Sequence, residues 1–156
     1  MHASMVSELV GILERKGFGL RGGVFNGDKH RWGPSTDATV VANNREALNR
    51  LLQRDKYTPS AYKGEKLRID IIGGLYTDRR FDSGKSIAIE VSISSDIKTE
   101  VRKLRKVPSK WKVIVTEDTD GELDGIRVVS LQKFESFLEE LTGTSVGRSR
   151  QIGVGQ

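Results

Sequence analysis

Two segments, centred on Asp70 and Glu90, limit what this chain can fold into more than any other stretch. Leu67, Ile69 and Ile71 alternate with Arg68, Asp70 and Ile72, and Ile87, Ile89, Val91 and Ile93 alternate with Ala88, Glu90, Ser92 and Ser94. Side chains on a strand point to opposite faces with period two, so the alternation predicts two half-buried strands with Glu90, Ser92 and Ser94 on one face. The residues between, Gly73 to Lys85, are rich in turn formers and predict a hairpin. A hairpin brings two carboxylates from neighbouring strands to one side of a small sheet. Such a pair repels unless something positive lies between them, and a divalent cation is the usual answer.

The flanking sequence supplies helices for this sheet. Met5, Leu9, Ile12 and Leu13 recur at helical spacing and predict an amphipathic helix from Ser4, as its cap, to Lys16. A glycine-rich basic segment follows, with Asn26-Gly27 as a tight-turn signal for a short hairpin. Its Gly17-x-Gly19-x-x-Gly22 spacing lacks the preceding strand and following helix that dinucleotide binding needs. Asn43 and Glu46 have capping-box spacing for a second helix running to about Arg54. Ser94-Ser95-Asp96 is read as the cap of a third helix, with Ile97, Val101 and Leu104 as its buried stripe and its end near Pro108. Trp111 to Val115 and Ile126 to Leu131 read as strands, and Phe134, Phe137, Leu138 and Leu141 mark a last helix. The acidic loop from Glu117 to Asp124 does not have calcium-loop spacing and reads as a solvated turn. Together these predict one α/β (α+β) domain over residues 1–142, a central mixed sheet flanked by helices. Within it, residues 1–42 form the first helix and basic loop and residues 43–142 the core, while residues 143–156 form a tail without a packed structure.

Composition narrows the chemistry. With no cysteine in the chain, disulfides, thiolate zinc sites and thiol catalysis are excluded. The two histidines, His2 and His30, fall in segments that read as mobile, which leaves no Ser-His-Asp arrangement. The absence of a signal-like start or a long apolar run leads to the expectation of a cytoplasmic protein with no membrane partner. The formal net charge of +5 favours a polyanionic partner. Two basic stretches stand out. Lys29, Arg31 and Trp32 read either as a loop that follows a phosphate backbone and stacks on a base, or as a solvated loop whose Trp32 enters the core. From Lys98 to Lys112, seven basic residues, including Lys98, Arg102, Lys103, Arg105 and Lys106, face one acid, Glu100. That run reads as a phosphate-tracking surface or a solvated helix face.

The order Ile69-Asp70-Ile71, then Glu90-Val91-Ser92, then a helix, then Lys112-Val113-Ile114-Val115 resembles the PD-(D/E)xK nuclease superfamily. This is the restriction-endonuclease-like fold also used by archaeal Holliday-junction resolvases, and the resemblance covers about half the chain. It implies that Asp70 and Glu90 hold Mg²⁺, or Mn²⁺, which activates a water for DNA hydrolysis, with Glu46 as an accessory ligand. Two departures stand out: Ile69 replaces the family proline, and Ser92 replaces the family lysine that steadies developing negative charge. A hydroxyl cannot carry that charge, so the resemblance implies a cation recruited from the following helix, Lys98 or Arg102. A homodimer would follow if both DNA strands are cut. The alternatives are a nuclease scaffold that binds nucleic acid without cutting it, and a basic protein-interaction module.

Overall fold

The computed structural model describes residues 1–25, 28–77, 80–94 and 96–143, with the side chains of 22–31 and 77–83 left aside. Among the described residues four α-helices and eight strands follow one another: α1 (His2–Arg15), β1 (Phe18–Phe25), β2 (Asp28–Trp32), β3 (Ser35–Val41), α2 (Arg45–Leu52), β4 (Lys66–Thr77), β5 (Arg80–Ser92), α3 (Lys98–Arg105), β6 (Trp111–Thr116), β7 (Gly121–Leu123), β8 (Ile126–Ser130) and α4 (Phe134–Thr142). The strands form one mixed sheet in the order β2-β1-β4-β5-β6-β8-β7, with β3 alongside the first half of β4. The expected α/β architecture holds. β4 and β5 are antiparallel, whereas β5, β6 and β8 run parallel. A parallel pair needs a crossover, and α3 supplies the one between β5 and β6. No helix among the described residues is long and apolar enough to cross a membrane.

Each face of the sheet buries its own core. Met5, Leu9 and Leu13 of α1 and Phe134 and Leu138 of α4 pack on Ile71, Ile87, Ile89, Val91 and Val113. Leu48 and Leu52 of α2 and Val101 and Leu104 of α3 cover Leu67, Ile69, Ile72, Ala88 and Ile114 on the other side. On β5 the alternation is regular, so Glu90, in phase with Ala88, points toward α3. On β4 it is not. Leu67 and Ile69 belong to the α2/α3 core, Ile71 to the α1/α4 core and Ile72 again to the first. The strand therefore changes phase at Asp70, and Asp37, opposite it between the Thr36–Ile71 and Ala38–Ile69 pairs, takes a left-handed φ of 53°. This corrects the uniform alternation expected of β4. A matched irregularity in two adjacent strands re-aims a side chain where regular pairing would fix it to one face.

Several boundaries also differ from the sequence reading. α1 starts at His2, and Ser4 lies inside it with its hydroxyl bonded back to the Met1 carbonyl, so it is no cap. The cap of α2 is Asn44, whose Oδ1 accepts from the Ala47 N–H at 3.0 Å, while Asn43 adopts φ 55° just outside the helix. α3 begins at Lys98 without a side-chain cap at Ile97, although Asp96 Oδ1 accepts the Lys98 N–H at 3.1 Å; Ser95 lies outside the described residues. The Gly73–Lys85 stretch is mostly strand, because β4 and β5 stay paired past a register shift at Gly74/Leu75. β3 was not anticipated, and the acidic loop contains the short exposed strand β7. The Asn26-Gly27 turn itself and the tail from 144 onward lie outside the described residues.

The capping assignment has a direct check. Asn44→Ala should lower the free energy of unfolding by about 1 kcal/mol. Asn43→Gly, which suits a left-handed backbone, should cost nothing measurable in the same urea titration.

Candidate functional site

The phase change in β4 decides the geometry of the two acids. Beyond the Ile71–Ile89 pair the ladder between β4 and β5 stops, since β4 continues beside β3 and β5 beside β6. In that fork, side chains take over from the backbone. The Asp70 N–H donates to Glu90 Oε2 at 2.8 Å, and the Val91 N–H donates to Asp70 Oδ2 at 2.8 Å. Each acid thus satisfies a backbone donor on the opposite strand, which holds both carboxylates at one point of the sheet. Glu90 is 3% exposed, whereas the Asp70 side chain keeps 24% of its surface open.

Two side chains, from α3 and α1, complete the arrangement. Lys103 Nζ lies 2.8 Å from Glu90 Oε1 and also donates to the Arg68 carbonyl at 2.7 Å. His2 Nε2 lies 3.2 Å from Asp70 Oδ2, so His2 belongs to an ordered helix turn and not to a mobile terminus. Burial pushes the Glu90 carboxyl above its ordinary value, and the nearby Asp70 charge adds to this; the Lys103 ammonium and the Asp70 N–H pull the other way.

The sequence-predicted site residues divide accordingly. Asp70, Glu90 and Lys103 come together; Lys98 and Arg102 do not join them. Glu90 sits two residues before the end of β5, about 6.6 Å back along the strand. α3 returns across that strand, so its second turn draws level with the acid: five residues past Lys98 is about 7.5 Å of helix, which is Lys103. Proximity in sequence favoured the first turn, and tertiary geometry overrides it. Ser92 is buried and closes a local turn with the Ser94 carbonyl at 3.1 Å, so it does not replace the absent lysine. Glu46 is exposed on α2, in a groove with Arg45, Asn49 and Arg50. Among the described residues no cluster of three or more His, Cys, Asp or Glu side chains could hold a metal ion, so Glu46 does not join the pair.

Trp32 does not enter the core. It is 51% exposed, with the Arg54 guanidinium 4.6 Å over its ring. The side chains of Lys29 and Arg31 lie outside the described residues. His2 is the member that sequence reasoning missed, yet a signal existed. It precedes Met5 by three residues, and Met5 opens the buried stripe of α1, so His2 continues the face turned to the sheet.

A mixed α/β sheet with an acid pair at a strand fork defines the class of this protein. Comparison of the chain with family models, curated proteins and solved structures finds no match.

The folded state holds the Glu90 proton more tightly than the unfolded chain does. Glu90 therefore supports the fold fully below its ordinary value of 4.5, and that support is lost as pH rises past it. Glu90→Gln keeps an acceptor for the Asp70 N–H and should raise the melting temperature more at pH 7 than at pH 4. Equal changes at the two pH values would mean that Lys103 offsets the burial of Glu90 completely.

Proposed function

We propose that this protein is a Mg²⁺- or Mn²⁺-dependent nuclease of the restriction-endonuclease-like type, acting on DNA at the Asp70–Glu90 fork. The observation that carries the reading is the mutual bonding of two acids across diverging strands, with a lysine ammonium 2.8 Å from the more buried one. The donor set suits the ion. Mg²⁺ takes hard oxygen ligands and commonly uses only one or two carboxylates, leaving its other positions to water and substrate phosphate. Two carboxylates held side by side fit that habit. Glu90, buried and raised by Asp70, carries excess negative charge that a divalent cation would relieve.

When bound, the ion would lower the pKa of a coordinated water and share the charge of a phosphate oxygen. The chain supplies the rest. Asp70 and Glu90 are held in place by backbone donors, so they need no rearrangement to act as ligands. Lys103 takes the role the resemblance gives to the motif lysine, as a cation beside the acids that orients water and steadies charge on phosphate. Asp70, with 24% of its side-chain surface open, is the acid that a phosphodiester would reach, and Glu90 is buried behind it.

A second reading has its own support. Lys103 and His2 each already contact one of the acids, so the fork is partly compensated without an ion. A scaffold that binds nucleic acid without cutting it would keep these contacts as permanent structural bonds.

Incubation of duplex and branched DNA with Mg²⁺ or Mn²⁺ separates the two. The nuclease reading expects cleavage that Glu90→Ala abolishes and that Lys103→Ala lowers by about 10²–10³-fold, as for loss of one charge-stabilising donor. Ser92→Ala should leave the rate within a few-fold. Cleavage absent from the unaltered protein in both metals, with DNA still bound, would establish the scaffold. Sedimentation at working concentration tests the homodimer that two-strand cutting would call for.

A further inference from the structure

α3 is not uniformly a partner of the acids. With 100° per residue, Lys98 and Arg105 lie about 140° and 160° around the helix from Lys103. They face a groove of about 510 Å³ on the other flank of α3, lined by Lys98, Arg102, Arg105, Lys106 and, from the β7–β8 turn, Leu123 and Asp124. Four cations and a single carboxylate meet there. Arg105 is 3.7 Å from Asp124, and Lys106 is 2.8 Å from Glu65. Lys98 and Arg102 have no partner among the described residues, and both are exposed. The walls are built with some backbone strain. Asn43 and Asp124, both at the groove, are two of the four non-glycine residues with positive φ among the described residues, at 55° and 52°. The Asn43 N–H also donates to the Lys106 carbonyl at 2.7 Å, which ties the groove floor to the start of α2.

We propose that this groove seats the sugar-phosphate backbone of a nucleic acid, as a binding site separate from the carboxylate fork. Unpaired cations keep their hydration until an anion arrives, and a polyanion releases its counterions on contact, so two free cations beside Arg105, held at 3.7 Å by Asp124, form a favourable seat. The exposed Leu123, at 38%, lies where a sugar could rest against it. Arg102 and Arg105 offer planar donors suited to phosphate oxygens. The proposal shares with the nuclease reading only the choice of nucleic acid as partner and does not depend on cleavage. It gives the two flanks of one helix different tasks: Lys103 serves the acids, and the other four cations hold substrate.

The test is binding of a fluorescently labelled DNA duplex in EDTA, where no cleavage occurs, over a range of salt. Lys98→Ala/Arg102→Ala should weaken binding about ten-fold or more and reduce the log–log salt slope by about 2, one for each lost phosphate contact. Lys56→Ala/Lys63→Ala removes the same charge from exposed positions elsewhere and should change affinity less than two-fold. Asp124→Asn tolerates the left-handed backbone, frees Arg105 and should tighten binding about two- to five-fold, a gain that misfolding cannot mimic. Equal losses from the two double variants, or no tightening in Asp124→Asn, would overturn the groove. So would a preference of the groove for polyglutamate over DNA, because that would make the partner an acidic protein. If the unaltered protein binds as described but never cuts with Mg²⁺ or Mn²⁺, the nuclease reading fails and the groove stands.

Discussion

Two carboxylates accepting backbone N–H groups across a fork in the sheet are the interaction on which the rest of this structure depends. Where β4 and β5 separate, the ladder would leave donors unpaired in the interior, and a buried unpaired donor costs about 1–3 kcal/mol. Glu90 and Asp70 remove that cost by reaching across to the opposite strand. The same bonds fix the two acids in relation to each other. A structural need and a chemical arrangement are met by one set of contacts, and both arise from the phase change at Asp70.

Bringing the acids together creates a charge problem that the surrounding elements answer. Glu90 is almost fully buried and has Asp70 beside it, so burial and repulsion both push its carboxyl above its ordinary value. α3 and α1 approach from opposite faces of the sheet and each contributes a group at hydrogen-bonding distance, Lys103 and His2. A buried charge with its partner removed is strongly destabilising, so these contacts constrain where both helices sit. The helices are in turn anchored by their apolar stripes, Val101 and Leu104 on one face and Met5 and Leu9 on the other. Packing sets the helix positions, and electrostatics selects which residue of each helix is used.

The basic character of α3 is thereby divided. Its buried stripe occupies one side of the cylinder, leaving two flanks of unlike surroundings. One meets the fork through Lys103, and the other opens on the groove shared with the β7–β8 turn. A run of cations that looks continuous along the chain becomes two surfaces once the helix is wound and packed.

Much of this was legible in the residues themselves. Period-two alternation around Glu90 and the 3.6-period stripes of α1, α3 and α4 follow from local geometry, so most strands, the helices and the mixed α/β class could be read directly, whereas the contact of Asp70 with Glu90 depends on a phase change in β4 that the alternation does not show. β3 was missed because Ser35, Thr36 and Asp37 interrupt its apolar pattern, and its pairing is defined by β4 rather than by its own sequence. The same holds for the site. Which cation of α3 meets the acids depends on how far α3 returns along β5, a distance set by packing that no spacing along the chain encodes. Trp32 is exposed with Arg54, more than twenty residues later, over its ring, a contact that no local spacing encodes. The sequence by itself determined the four helices and the strands around Asp70, Glu90, Val113 and Val128, because those follow from periodicities of a few residues. Only the tertiary structure decided that Lys103 and His2 flank the acids while Lys98 and Arg102 face away, because long-range packing sets the rotation and depth of each helix against the sheet.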